Sequence, residues 1–230
     1  MLKARKQISH KEIKEDQLIT FYSKVADVYY KFQNQILIGL GVLVAVVLLS
    51  VLYFWNQSSK ETEAAELFAK VHTLIEQANY EKAIDGDPAL QITGLKAIAD
   101  DYNGTSTGEL AAFYTGSYYY NLKKFDEAKE YFNEVDSSDP LIQSAAIAGY
   151  AATLEVAKEY ADAASKYKKA AKLAKNSIAS PRYLYLAGLN YAEAKELSSA
   201  VDCFKDIKEN YEKSTYAKDA DKYIAMYSSN

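Results

Sequence analysis

Residues 109–140 read ELAAFYTGSYYYNLKKFDEAKEYFNEVDSSDP, and this stretch decides the fold class of the chain. A small residue, Gly116, lies in its first half, and another, Ala128, lies in its second half. The aromatic residues Tyr119 and Phe132 follow these small residues at helical spacing. Small side chains let two helices approach closely, and the large ones fill the space between the pair and its neighbours. The stretch therefore predicts an antiparallel helix pair.

The same pattern of small and large residues returns twice, with a period of about 35 residues. We predict repeats near 109–142, 144–177 and 181–214, in an all-α array of helix pairs. The positions expected to pack within these pairs are Gly116, Tyr119, Ala128, Phe132, Ala163, Tyr167, Gly188, Tyr191, Ala200 and Phe204.

Two weaker segments flank these repeats. Residues 62–103 predict a degenerate first repeat, in which Asp87 caps a helix that has Pro88 at its first position. Residues 215–228 predict a single final helix that covers the last apolar surface of the array.

A twenty-residue apolar segment, ILIGLGVLVAVVLLSVLYFW, occupies residues 36–55. It carries no charge, and a helix of this length matches the thickness of a bilayer core. A buried core helix would include polar residues, and a cleaved signal peptide has a shorter apolar region nearer the N-terminus. We therefore predict a transmembrane signal anchor, with Tyr53 and Trp55 at its interfacial end.

The charges around this segment predict its orientation. Residues 1–35 carry seven basic and four acidic side chains, which leaves a net charge of −7 on the rest of the chain. Basic flanks stay in the cytoplasm, so residues 56–230 should lie across the membrane. Apolar residues at helical spacing also make residues 1–35 amphipathic. This segment is either a helix that contacts lipid or a partner, or a plain extension of the anchor.

The composition argues against an enzyme. One cysteine and two histidines leave few candidates for metal ligation or for nucleophilic and general-base catalysis. We therefore predict no catalytic residue, no metal, no cofactor and no small-molecule substrate. The acidic bulk of the chain also argues against nucleic acid as a partner.

The repeats resemble the tetratricopeptide family over about residues 60–228. The arrangement of basic segment, single anchor and repeats is similar to that of YfgM-type proteins, as is the turn Asp101-Tyr102-Asn103-Gly104-Thr105 before the first clear repeat. The resemblance implies a bacterial inner (plasma) membrane protein with a periplasmic repeat domain. It also implies protein partners, which would be the Sec translocon, a periplasmic chaperone or secreted client proteins.

The tetratricopeptide register also implies a concave groove, formed by the first helix of each pair. Its candidate residues here are Leu110, Phe113, Ser117, Tyr120, Asn121, Arg182, Tyr185 and Leu189. These residues are mostly apolar or aromatic and lack the carboxylate clamp that some family members use. Such a groove suits a segment with hydrophobic anchors. Two function classes stay open: a translocon-associated module that receives client chains, and a structural scaffold of another envelope complex.

Overall fold

The computed structural model describes residues 10–175 and 177–228, and this part of the chain is almost entirely helical. Its α-helices are α1 (His10–Glu76), α2 (Tyr80–Asp85), α3 (Leu95–Asp101), α4 (Ser106–Asn121), α5 (Phe125–Glu134), α6 (Pro140–Val156), α7 (Tyr160–Leu173), α8 (Ser180–Glu193), α9 (Leu197–Asn210) and α10 (Thr215–Ser228). The contacts divide the chain into two units, residues 1–56 and 57–230. The prediction of an all-α protein is confirmed.

Helix α1 contains the apolar segment 36–55. Within the described residues it is the one helix that is long and apolar enough to cross a membrane, and its apolar window is not buried by any other element. The sequence predicted an amphipathic segment, an anchor and a first repeat helix as separate pieces. The structure joins residues 10–76 into one helix, because no proline interrupts them. Residues 1–9 of the predicted basic segment lie outside the described residues.

The end of α1 belongs to the second unit. Val71 and Leu74 are buried in its core. Glu61 accepts hydrogen bonds from the backbone N–H of Thr107 at 3.2 Å and from its hydroxyl at 2.6 Å. These bonds satisfy two donors in the first turn of α4 and hold that turn against α1.

The degenerate first repeat differs from the prediction. Asp87 does cap Pro88, since its carboxylate accepts a hydrogen bond from Ala89 N at 3.1 Å, but the turn that follows is a 3-10 helix of three residues, Pro88–Leu90. Strand β1 (Gly86–Asp87) then pairs antiparallel with β2 (Ile92–Thr93). A left-handed residue, Gln91 at φ 55°, reverses the chain between them. The predicted second helix is therefore reduced to α3, because the tight β-turn occupies its first half.

From α3 to α10 each helix packs on the next one in the chain. Of the ten residues predicted to pack within the pairs, nine are buried, and Tyr191 is half-buried. Ala128, Ala163 and Ala200 have no exposed surface. The close approach that the small residues were expected to allow is therefore present in all three pairs.

Phe132 shows how tight this packing is. A Cβ added to Gly116 would lie 2.9 Å from Phe132 Cδ1, and a Cβ added to Gly149 would lie 2.5 Å from Phe132 Cε1. The ring thus lies against the backbones of both α4 and α6. Gly188 meets Phe204 in the same way, with its added Cβ 2.6 Å from Phe204 Cζ.

The turns inside the three pairs share one backbone conformation. Lys123, Lys158 and Lys195 are all left-handed, with φ between 62° and 66°. The N–H of each lysine donates to the carbonyl three residues earlier at 3.0 Å. An earlier residue, Ala78 at φ 53°, makes the same bond at 2.9 Å after α1. The degenerate region therefore has the same turn as the repeats, although its helices α2 and α3 are shorter than those of the repeats.

Lys158 offers a test of this turn. A left-handed residue with a Cβ is strained, whereas glycine adopts this conformation freely. We expect Lys158→Gly to raise the free energy of unfolding by up to about 1 kcal/mol, as measured by urea unfolding of the full chain in detergent. Lys158→Ala is the matched control, because alanine keeps the Cβ and should bring no gain. A destabilised glycine variant would contradict the assigned conformation.

Candidate functional site

A cavity of about 300 Å³ opens between the first helices of the three pairs. Helices α4, α6 and α8 form most of its wall, and α5 and α7 contribute one residue each. The lining residues are Phe113, Ser117, Tyr120, Asn121, Phe132, Ala145, Ala148, Gly149, Ala152, Tyr167, Arg182, Tyr183 and Leu186. We call this surface the groove. We call the side of the groove that α6 forms its floor. The floor is wide because α6 contributes three alanines and a glycine, which project little into the groove.

The structure brings five of the eight predicted groove residues together. Phe113, Ser117, Tyr120 and Asn121 line the groove from α4, and Arg182 lines it from the start of α8. Leu110 is half-buried near the N-terminus of α4 and does not line the cavity.

Tyr185 and Leu189 also lie outside the groove, which corrects the expectation of one shared surface. Tyr185 donates a hydrogen bond to the Tyr223 hydroxyl at 3.3 Å, and its ring centroid lies 5.2 Å from that of Tyr216. Leu189 packs into the same cluster. Tyr216 and Tyr223 both belong to α10. The final helix therefore covers the face of α8 on which Tyr185 was expected to be free.

The groove contains buried tyrosine hydroxyls. Tyr167 donates a hydrogen bond to Glu155 Oε2 at 3.0 Å. Burial raises the pKa of Tyr167 above its usual range, and the neighbouring Glu155 carboxylate adds to this effect. Burial also raises the pKa of Tyr120. The Tyr167 hydroxyl is thus a hydrogen-bond donor inside the groove, and its acceptor is Glu155.

Two polar side chains at the edge of the groove are available to a ligand. The amide of Asn121 and the guanidinium of Arg182 are exposed, and neither forms a hydrogen bond with another residue in the described part of the chain. An amide can bond a peptide backbone through both its N–H and its carbonyl. A guanidinium suits a carboxylate. The groove thus combines an apolar floor with two free polar groups.

Sequence reasoning missed several groove residues. Phe132 and Tyr167 were assigned to packing within the pairs, and they do pack there, but one side of each ring also faces the cavity. Gly149, Tyr183 and Leu186 received no role. The absence of a side chain at Gly149, at a helical spacing from Ala145 and Ala152, was the signal that α6 presents a flat face.

Among the described side chains, Cys203 and His72 form no second site. Cys203 is buried, and burial raises the pKa of its thiol to about 11, so the thiol stays protonated at neutral pH. His72 is exposed on α1, with Nδ1 3.5 Å from Glu76 Oε1. Within the described residues no group of three metal-ligating side chains comes together.

No protein-family model, no curated protein and no solved structure matches this chain.

Proposed function

We propose that residues 57–228 form a tetratricopeptide-type solenoid that binds proteins. Three observations support this: consecutive helices pack on one another, a glycine faces an aromatic ring within the first and the third pair, and the left-handed turn residue recurs at the same place. The final helix α10 packs on both α8 and α9, as a capping helix of a repeat array does. A stacked array of this kind creates an extended binding surface.

The proposed domain is held at a membrane by residues 36–55. Their apolar side chains are exposed along the helix, and this is favourable in lipid but costly in water. The excess of basic residues before the segment supports a cytoplasmic N-terminus. In a bacterial cell we expect the repeats to lie in the periplasm, at the inner (plasma) membrane.

The groove is the proposed binding site, and the single observation that carries it is the convergence of α4, α6 and α8 on one apolar cavity. A volume of about 300 Å³ is at the small end for ligand pockets, so it suits one or two large side chains of a peptide segment. Asn121 would bond the backbone of that segment, and Arg182 would pair with a carboxylate beside the anchor residue.

The resemblance to YfgM-type proteins favours a partner among the translocon, a chaperone and secreted clients. A scaffold with one fixed partner is the alternative, because it would use the same anchor and the same groove. The chemistry of the groove is common to both functions, so the number of partners distinguishes them.

A photocrosslinking experiment with a blocked groove tests the proposal. A photoreactive residue replaces Asn121 in the full chain, in native membranes. We expect it to crosslink proteins, and Ala152→Leu should reduce the yield about tenfold, which corresponds to roughly 1.4 kcal/mol, because the leucine fills the cavity. Ala152 is half-buried on the cavity floor, so the larger side chain has room to enter it.

The matched control is Ala161→Leu, which places the same side chain on an exposed site outside the groove. This variant should crosslink like the parent chain. Crosslinks to many secreted chains would support client binding, and crosslinks to one constant protein would support the scaffold. Equal yields from the two leucine variants would refute the groove as the binding site.

A further inference from the structure

One end of residues 57–230 lies beside Gln57, the first residue of this unit, and we call it the entry end. Hydrogen bonds show which turns lie there. The amide of Gln57 donates to the carbonyl oxygen of Gly104, and Glu61 accepts from Thr107. The turn before α4 therefore lies at the entry end. Glu109 in turn accepts from Asp136 N at 2.6 Å, so the turn after α5 lies at the same end.

The turn between α7 and α8 also lies at this end. Asp136 and Lys169 of α7 line one small cavity, which places the C-terminal half of α7 beside the turn after α5. Ser180 Oγ donates to Ala171 O at 2.9 Å and holds the start of α8 against the end of α7. This order agrees with neighbouring helices that run in alternating directions.

The α7–α8 turn differs in chemistry from the two turns that precede it at the entry end. The turn after α9, which lines a cavity together with Ile178, carries both acidic and basic residues, Glu209, Glu212 and Lys213. Ile178 is 96% exposed, the largest exposed fraction among the large hydrophobic residues that the structure describes, and Leu173 is 40% exposed. Lys172 and Lys175 are exposed, and neither pairs with a carboxylate within the described residues. The two earlier turns instead carry carboxylates, at positions 100, 101, 136 and 139.

The C-terminal half of α7 stands out in the same way. Residues 166–175 carry five lysines and no acidic residue, whereas residues 57–230 together are net negative. An anionic surface would therefore attract this part of the domain and repel the rest. The attraction would select one orientation of the domain.

We propose that the α7–α8 turn, defined by Lys172, Leu173, Lys175 and Ile178, docks on the anionic phospholipid surface of the bilayer that residues 36–55 span. Apolar side chains flanked by lysines are the combination that binds the headgroup region, where the apolar atoms enter the acyl boundary and the ammonium groups meet phosphates. Gln57 follows the apolar segment by two residues in the sequence, so the chain itself keeps residues 57–230 at a high effective concentration near lipid.

Fluorescence quenching by lipid tests this proposal on the full chain. A fluorophore is attached to Ser177→Cys, with the buried Cys203 replaced by alanine, and the chain is reconstituted in phosphatidylcholine vesicles with brominated acyl chains, with or without phosphatidylglycerol. We expect strong quenching when phosphatidylglycerol is present. The same label on Ala157→Cys, in the turn at the opposite end of α7, should stay unquenched.

Charge variants show whether the turn binds lipid or whether the label only lies near it. Lys172→Gln with Lys175→Gln should lower the ratio of docked to undocked domain about 30-fold in vesicles with phosphatidylglycerol. Ile178→Asp should also abolish the quenching, because it removes the apolar anchor. The matched control, Lys123→Gln with Lys158→Gln, removes two lysines from turns at the other end and should change nothing.

Two results would overturn the proposal. Equal quenching of the labels at positions 177 and 157 would show that the turn has no preferred contact with lipid, and it would leave an acidic protein segment as the partner of the exposed lysines. Unchanged quenching in the Lys172→Gln, Lys175→Gln variant would show that anionic lipid is not recognised. Neither result bears on the groove, which has its own test.

Discussion

Replacing Phe204 by alanine should lower the free energy of unfolding of the repeat domain by about 3 to 5 kcal/mol. The side chain has no exposed surface. Its ring stacks on Tyr223 with centroids 4.9 Å apart and meets Tyr185 edge-on at 6.0 Å. Its loss leaves a cavity against Gly188 and removes the ring on which Tyr223 and Tyr227 of α10 stack. Urea unfolding of the full chain in detergent, followed by circular dichroism, measures the effect.

Phe125→Ala is the matched control for this truncation. Phe125 is half-buried and meets Tyr120 with ring centroids 5.2 Å apart, so less apolar area is lost. We expect less than half of the effect seen at Phe204. In addition, Phe204→Ala should expose α10 to protease, with cleavage near Thr215, whereas Phe125→Ala should not. Equal losses of unfolding free energy at both positions would contradict the larger contribution that we assign to Phe204.

Gly116→Leu should cost about 1 to 3 kcal/mol, because the added side chain has no space. Even a Cβ at this position would lie 2.9 Å from Phe132 Cδ1, and the ring is held on its other side by Gly149. The new leucine must therefore push α4 and α5 apart. The same urea measurement reports the change.

A control and a double variant make this result specific. Glu130→Leu introduces the same side chain at an exposed position on α5 and should change stability little. Adding Phe132→Ala to Gly116→Leu should cost less than the sum of the two single changes, since the missing ring makes room for the leucine. Additive costs would mean that the leucine and the ring do not compete for the same space.

Local pattern was enough to predict most of the helices. Proline at the start of α6 and α8 and the recurrence of small and aromatic residues act within a few turns of the chain, so they can be recognised without the fold. The same reasoning failed for residues 62–103. There the left-handed Gln91 and the strand pair replace a helix, and neither leaves a strong local signal in a five-residue turn.

Prediction from local pattern had the same limit for single side chains of the groove. The register placed Phe113 and Tyr120 on one face of α4, and both residues line the cavity. It placed Tyr185 on the equivalent face of α8, but that face is covered because no further pair follows and α10 packs there instead. Whether a side chain at a given position is free or buried depends on the next element, which the position itself does not encode.

The sequence by itself determined the helical class, the apolar segment 36–55, and the small and large positions of the three helix pairs, because each of these depends on spacing along one helix. The tertiary structure decided which of those residues share a surface. It joined residues 10–76 into one helix, set Phe132 between two glycines, and brought Lys172 and Ile178 to the end of the domain where the chain enters. These results depend on contacts between residues far apart in the chain, and such contacts form only when the helices pack.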